Sequence, residues 1–528
     1  MSSRWYRAAL FALFTVYAAL YLRTVSYEFV WDDFPALVDN PLYQGPWLGG
    51  IRASMHDHVD PSLRKLSSAK LAHDSYRPVL YLSHRIEREL YGKDAGGHHL
   101  HNVLVGALAL AMVLALARRW LAHDGKALAV AGVFALHPLQ VESIAYVSGR
   151  GDLLAALFAL ASLWLALRGA DGGSRRWAWM IASTVALVLS MLSKEAYIGV
   201  PIALLLIAWS AGRLRVHVAD VCAHAVGLAM YLALRLAMAP AGAQESLAAI
   251  LILPGLWLQY FSILLSPSDL SIVRPLSSAW VVPGWLALMV VLIGVARLSR
   301  RPLDERTQLA RQALAGALIA LVFIGPSAIV VKIMNVVADR YACLPLVGYA
   351  VALVSAGDWS AHVAAASARP LRVLGATLAL ACLVVTALQV PVWRDPKSLY
   401  MNAFMMEPRS STAAYGLGLA HARLGDWSFA QPLFRRAVEL DPRNSRAWNN
   451  MAVGALEQGD YVAAIYAAEH AAAVTNAPYR ALYNLGAAHL RLGQVREGCS
   501  ALARALAVNA SYSAARELME QSCGARRR

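Results

Sequence analysis

The sequence predicts an all-α chain, a polytopic membrane helical bundle of about eleven transmembrane helices followed by an α-solenoid. Three observations predict it. The chain is 58% hydrophobic and only 15% charged, whereas soluble domains carry about 25% charged residues. Apolar runs long enough to span a bilayer, roughly 17–25 residues each, recur from the N-terminus to residue 391. Beyond residue 411 the pattern changes to a fixed 34-residue period.

The first run, Ala8 to Leu22, ends in Arg23 and Tyr27-Glu28-Phe29 without a small-x-small cleavage site, so it reads as a membrane anchor and not a removable leader. The expected helices are 5–25, 98–118, 126–143, 150–168, 176–194, 197–212, 217–238, 279–297, 309–331, 341–357 and 371–391. Pro254 divides 245–265 into two short pieces, which predicts a re-entrant or interfacial segment there. Charge supports this count. With a cytoplasmic N-terminus, Arg4 and Arg7, Arg118 and Arg119, Arg168 and Arg175, Arg213 and Arg215, Arg297 to Arg311, and Arg369 and Arg372 all fall on the cytoplasmic side. A full span at 245–265 would move the last two clusters across the membrane. The expected protein is therefore a multi-pass protein of an inner or plasma membrane, with residues 1–392 as membrane domain, a long outer loop at 26–97, and the C-terminal domain in the periplasm or outside the cell. The net charge of +15 follows from this topology and does not call for nucleic acid as a partner.

After a linker at 393–410, Leu417-Gly418, Met451-Ala452 and Leu485-Gly486 repeat at a constant step of 34 residues, the period of tetratricopeptide (TPR) repeats. The repeats are 411–444, 445–478 and 479–510, and a helix near 511–523 caps the stack, as a solenoid end requires. Such a surface suits an acceptor protein or peptide. The five cysteines lack ligand spacing for a metal; Cys499 and Cys523 would pair in an oxidising compartment.

Chemistry is expected at the outer ends of the helices. Trp31-Asp32-Asp33-Phe34 places two adjacent carboxylates at the membrane boundary, where they are costly unless solvated, paired or bound to a cation. They suit a general base, and a divalent cation beside them is left open. Polar groups gather on the same face: Tyr76-Arg77-Pro78 before an amphipathic stretch from Val79 to Tyr91, His98, His99, His101 and Asn102, then His137, Glu142, Arg150 and Asp152, then Lys194-Glu195, and Asp339-Arg340-Tyr341. Arginine and lysine there suit a lipid-linked phosphate. No Walker loop, GxGxxG, zinc motif or GxSxG stands in a fitting context.

These motifs resemble the GT-C superfamily of polyprenyl-phosphate-sugar-dependent glycosyltransferases, and within it the transmembrane TPR-containing O-mannosyltransferases and their bacterial relatives. The resemblance rests on Trp31-Asp32-Asp33, Tyr76-Arg77-Pro78, His101-Asn102, His137-Pro138 with Glu142, Gly149 to Leu154, Ser193-Lys194-Glu195, Arg340-Tyr341 with Leu344-Pro345, and the trailing repeats. It implies a GT-C-like membrane domain and an inverting transferase, whose substrates are a polyprenyl-phosphate-linked sugar, mannose first, and a serine or threonine hydroxyl of a protein. By the same resemblance the base is Asp33 or Asp32, with Asp33 favoured. Arg77, Arg150, Lys194 and Arg340 would hold the donor phosphate. His137, Glu142, Asp152, Glu195, His101, Asn102 and Tyr341 would support them. Relatives often carry Asp-Glu where this chain has Asp32-Asp33, so which carboxylate is the base stays open. Two other readings remain: the same fold acting on a lipid or glycan acceptor, and a non-enzymatic membrane scaffold that presents the repeats.

Overall fold

The computed structural model describes residues 3–40, 43, 77–238, 246–267, 270–334, 336–364 and 369–523. Tyr76 and most of the loop 26–97 lie outside the described residues. The described chain is helical throughout and divides into two compact units, one ending at Asp395 and one beginning at Pro396.

In the first unit each of the eleven expected segments is helical. Among the described residues, eight helices are long and apolar enough to cross a membrane, or nine if a bent pair counts as one span. The pair is Asp124–Leu136 with Pro138–Ala145, which meet at 58°. The expected single span at 126–143 is therefore broken: Pro138 has no N–H to continue the ladder, and His137 turns extended (φ −80°, ψ 131°). Two shorter apolar helices, Glu195–Ser210 and Ala249–Leu265, complete the set. The helix Pro345–Ala364, twenty residues long, is not among these candidates.

The segment around Pro254 corrects another expectation. Ser246–Leu265 is one continuous helix with Pro254 inside it, not two pieces. Leu256, Trp257, Tyr260 and Leu264 are buried in a core shared with helices Glu305–Met334 and Pro345–Ala364. Packing of a face this apolar outweighs the roughly 3 kcal/mol that an interior proline costs. Helix Val281–Ser299 comes so close that a Cβ on Gly284 would lie 2.3 Å from the Pro254 carbonyl.

Helices Glu305–Met334 and Pro345–Ala364 cross at Gly316 and Gly348, where a Cβ on either would sit 2.6 Å from the other's carbonyl oxygen. Small residues permit this backbone approach. It fixes the intervening turn, Asp339–Ala342. The two sets of helix ends have different polar chemistry. At one, Asp171 pairs with Arg119, Arg168 and Arg213. At the other gather Asp33, Glu142, Asp152, Lys194 and Arg340.

The second unit opens with helix Pro396–Met406, so the expected linker 393–410 is largely structured. Tyr400 lies so close to Gly416 that no Cβ would fit there. Three antiparallel pairs follow: Ser411–Arg423 with Trp427–Leu440, Ser445–Glu457 with Tyr461–Ala473, and Tyr479–Arg491 with Val495–Val508. Each pair turns on a glycine at φ of 75–76°, namely Gly425, Gly459 and Gly493, a left-handed conformation that glycine adopts without strain. Helix Ser513–Cys523 caps the stack, and a disulfide joins Cys499 to Cys523 with Cα atoms 5.9 Å apart.

Candidate active site

The carboxylate pair lies just beyond the first helix, and the two residues differ sharply in setting. Trp31 takes a positive φ of 51° and stacks on Tyr146 at 5.6 Å between ring centroids. This turn leaves Asp32 exposed and buries Asp33 completely. Asp33 Oδ1 accepts from the Ser148 amide at 2.8 Å and the Ser148 hydroxyl at 2.6 Å, while Oδ2 accepts from the Val30 amide at 3.1 Å. Burial pushes the Asp33 carboxyl up to about 6 against these three bonds, with the Asp32 charge adding to the rise.

Next to this loop stands Arg340. Its guanidinium ion-pairs with Glu142, and its backbone N–H donates to Glu142 Oε2 at 3.2 Å. It lies over three rings, Trp31 at 5.4 Å, Tyr146 at 5.8 Å and Tyr341 at 5.1 Å. Aromatic faces hold a guanidinium in place without quenching its charge. Lys194 Nζ reaches both oxygens of Asp152, at 2.7 and 2.6 Å, and sits 5.4 Å from the Tyr341 ring. Arg77 and Arg340 are both near enough for their charges to act on Lys194. Arg77 Nε donates to Glu195 Oε2 at 3.0 Å, and Arg235 approaches Glu195 Oε1 at 3.3 Å. Arg274 pairs with Asp339 at 2.7 Å, and burial pushes that aspartate up to about 6. The structure thus brings together Asp32, Asp33, Arg77, Glu142, Asp152, Lys194, Glu195, Arg340 and Tyr341.

Four other expected residues serve the framework. Arg150 is fully buried and every guanidinium nitrogen is engaged. Nε donates to Asn102 Oδ1 at 2.7 Å, Nη2 to the His98 carbonyl at 2.7 Å, and Nη1 meets Ser83, His84 and Glu87. This engagement with buried partners sets Arg150 apart from Arg77, Lys194 and Arg340, which are paired with carboxylates in the other cluster. Asn102 in turn donates to the carbonyls of Ile144 and Tyr146, at 3.2 and 2.8 Å, and shapes the turn that carries Glu142. His137 is buried, with Nε2 bonded to the Leu264 carbonyl at 3.0 Å and Nδ1 accepting from Leu139. It ties the bent helix to the Pro254 helix. His101 Nδ1 lies 2.7 Å from Glu87 Oε1.

Glu87 is the hub of this second network. Arg150, His98 and His101 converge on it. Against the cost of burial, hydrogen bonds from His84 and His98 and the charge of Arg150 hold its carboxyl well below the usual carboxylate range. His84, Glu87 and His98 bring three ligand atoms within 4.8 Å of one another. The Arg150 guanidinium already supplies the cation there, so the donor set does not fit a divalent ion. Sequence reasoning missed Glu87, Ser148, Tyr146, Arg274 and Arg235. Only Arg235 carried a local signal, an arginine inside an apolar run.

Residues 77–239 match the family described as dolichyl-phosphate-mannose-protein mannosyltransferase. Residues 411–444 and 433–466 match tetratricopeptide repeats. The chain is 33% identical over 183 residues to protein O-mannosyl-transferase TMTC2 of Homo sapiens, covering 34% of this chain and 21% of that protein. It is 34% identical over 186 residues to Tmtc2 of Drosophila melanogaster, covering 34% and 19%. The match spans about a fifth of the length of these curated relatives. The solved structure of ArnT from Cupriavidus metallidurans, bound to undecaprenyl phosphate, aligns over 95% of this chain and 80% of its own, with a TM-score of 0.35 and 15% identity; that likeness is too loose to argue from. The chain is a multi-pass membrane protein with C-terminal tetratricopeptide repeats, and over its mannosyltransferase-matching segment it resembles the protein O-mannosyl-transferases.

Proposed function

We propose that this protein is a membrane glycosyltransferase that moves a sugar, mannose first, from a polyprenyl-phosphate carrier to a serine or threonine hydroxyl of a protein. One observation carries the reading. An exposed carboxylate, Asp32, adjoins a set of cations: Arg340 and Lys194, each beside aromatic rings and paired with a carboxylate, and Arg77, paired with Glu195. A displacement at a phosphate-linked sugar needs both. The acceptor oxygen attacks the anomeric carbon, its proton passes to Asp32, and the carbon–oxygen bond to phosphate breaks with its electrons on the leaving phosphate. Arg340 and Lys194 stabilise the charge that develops there. A single displacement inverts the anomeric centre.

The buried, triply bonded Asp33 fits a positioning role, so the base falls to Asp32, although the resemblance favours Asp33. The ion pairs hold the cations in register, and a phosphate exchanges with the carboxylates.

Orientation follows the same reading, with the N-terminus cytoplasmic and the repeats on the non-cytoplasmic face of an inner or plasma membrane. The clustering of Arg119, Arg168 and Arg213 at one end of the bundle supports it. The Cys499–Cys523 disulfide supports an oxidising side for the repeats, which there receive the acceptor protein.

The test is transfer of radiolabelled mannose from polyprenyl-phosphate-mannose to a membrane-protein extract by purified wild type and Asp32→Asn. Label on protein that vanishes in an equally folded variant supports the reading. Label that partitions with lipid or glycan assigns a different acceptor. No transfer from any of a panel of polyprenyl-phosphate sugars would refute it.

A further inference from the structure

Helix Val218–Met238 exposes Met230 and Leu234 along one side and Leu232 and Leu236 along the other, as lipid-facing surfaces do. Arg235 lies between these two sides, on the same face as the buried Tyr231. A charge at membrane depth is costly and needs a partner. Its partner, Glu195, is already taken by Arg77 at 3.0 Å. In the polar cluster described above, Lys194 pairs with Asp152 and Arg340 with Glu142. Among the described residues Glu195 there serves two guanidinium groups, so Arg77, Glu195 and Arg235 together carry one net positive charge.

Hydrogen bonding shows the same deficit. Arg235 Nη1 is buried and lies 3.3 Å from Glu195 Oε1, but makes no hydrogen bond of normal geometry. Tyr231, one helical turn earlier and 2% exposed, lies within hydrogen-bonding reach of Arg235, itself a donor, and its own O–H has no acceptor. The charges of Glu195, Arg235 and Arg77 all act on Tyr231, so these groups are neighbours. Two buried donors at i and i+4 therefore stand beside one overcommitted carboxylate, at the edge of the bundle that faces lipid.

We propose that Arg235 and Tyr231, with Arg77, form the entry contact for the phosphodiester of the lipid-linked donor; this rests on the transferase reading above. A phosphodiester monoanion supplies the one missing negative charge and the acceptor oxygens that Arg235 Nη1 and Tyr231 Oη lack. Its polyprenyl chain stays in the bilayer beside the exposed leucines. From Arg235 the headgroup passes to Arg77 and then to Lys194, which feels the charge of Arg77. Arg235 and Tyr231 are positioning residues, because they act on the donor before it reaches Arg340.

The experiment measures binding to the full-length protein in detergent by native mass spectrometry. The probe is a short-chain polyprenyl methyl phosphodiester, which has the donor's single charge and no sugar. The uncharged polyprenol and phosphatidylglycerol are compared. Wild type is expected to prefer the polyprenyl phosphodiester to both. Arg235→Gln should weaken it on the order of tenfold or more, the loss of one charge-assisted hydrogen bond. Arg235→Lys should recover most of the binding, and Tyr231→Phe should cost a few-fold. Glu195→Gln should tighten binding, because it removes the competing anion; a merely structural ion pair would not respond in that direction. In transfer assays Arg235→Gln should raise KM for the donor with kcat little changed. Unaltered phosphodiester binding in Arg235→Gln, or weaker binding in Glu195→Gln, overturns the proposal while leaving the transferase reading intact. Phosphatidylglycerol binding as tightly as the probe would make this a site for bulk lipid and also overturn it. A wild type that cannot tell the phosphodiester from the polyprenol would sink the transferase reading itself.

Discussion

Ser148 holds Asp33 from two directions, its amide donating to Asp33 Oδ1 at 2.8 Å and its hydroxyl to the same oxygen at 2.6 Å. The side chain of a neighbouring turn is thereby locked beneath the loop that carries Asp32. If Asp32 is the base, Asp32→Asn should lower kcat by about 10²-fold or more with unchanged thermal stability. Ser148→Ala should behave differently, losing about 1 kcal/mol of stability and several-fold in kcat through the displaced loop. Parallel kinetics and thermal unfolding separate the two. A Ser148→Ala loss as large as that of Asp32→Asn would argue that Asp33, not Asp32, takes the proton.

The buried Asp33 also sets a pH dependence. Its carboxyl is raised to about 6, against about 3.9 in the unfolded chain. Between these values the folded protein binds a proton that the unfolded chain does not. This group therefore contributes stability below about pH 4, and that contribution is lost as pH rises through about 6. Only the ionised form accepts all three hydrogen bonds without rearrangement, so transfer should rise over the same interval. Thermal unfolding of wild type and Asp33→Asn between pH 4 and 7 checks the sign. The stability of wild type relative to Asp33→Asn should fall as pH rises from about 4 to about 6 and flatten above it.

Arg340 and Glu142 are predicted to matter unequally. Arg340→Lys keeps a charge but loses the planar fit over Trp31, Tyr146 and Tyr341. With the transition-state charge less well held, kcat should fall about 10²-fold. Glu142→Gln keeps an acceptor for the Arg340 amide and should cost much less. Comparable losses in both variants would mean that the pair, and not the guanidinium, is what the reaction needs.

How much of this was legible beforehand depends on the range of the interaction. The repeats were read correctly because a 34-residue period, the turn glycines and the small residues are local features. The spans were read from apolar runs, but His137-Pro138 hid a break and Pro254 suggested one that packing overrides. The resemblance named Arg340, Lys194 and Arg150 alike, and in sequence the three look equivalent. The partner of Arg150, Glu87, sits in an ordinary-looking charged helix sixty-odd residues away, and nothing local announces that the two meet. Long-range ion pairing is decided by topology, so it becomes visible only once the helices are placed.

That distinction gives a prediction for Arg150. Removing one partner of a buried ion pair leaves the other charge uncompensated, at a cost of roughly 3–5 kcal/mol. Arg150→Ala and Glu87→Ala should each lower yield and unfolding temperature markedly, while the folded fraction binds a polyprenyl phosphodiester as wild type does. Binding lost in a stably folded Arg150→Ala variant would return this arginine to the phosphate site.

The last prediction concerns the end of the solenoid. Leu518, Met519 and Cys523 of the terminal helix pack on the core of the third repeat, around Ala501, Leu502 and Ala505. The disulfide from Cys499 closes a loop with a sequence separation of 24, which in the chain-entropy account stabilises by about 3 kcal/mol. A helix of this length is marginal alone, so reduction should release the cap before the rest of the stack. Limited proteolysis of the full-length protein, with and without reductant, should show cleavage confined to residues beyond Val508 in the reduced sample. Cys523→Ser should reproduce that pattern without reductant. Identical patterns in all samples would mean that packing alone holds the cap, and the disulfide would then bear only on the compartment in which the repeats reside.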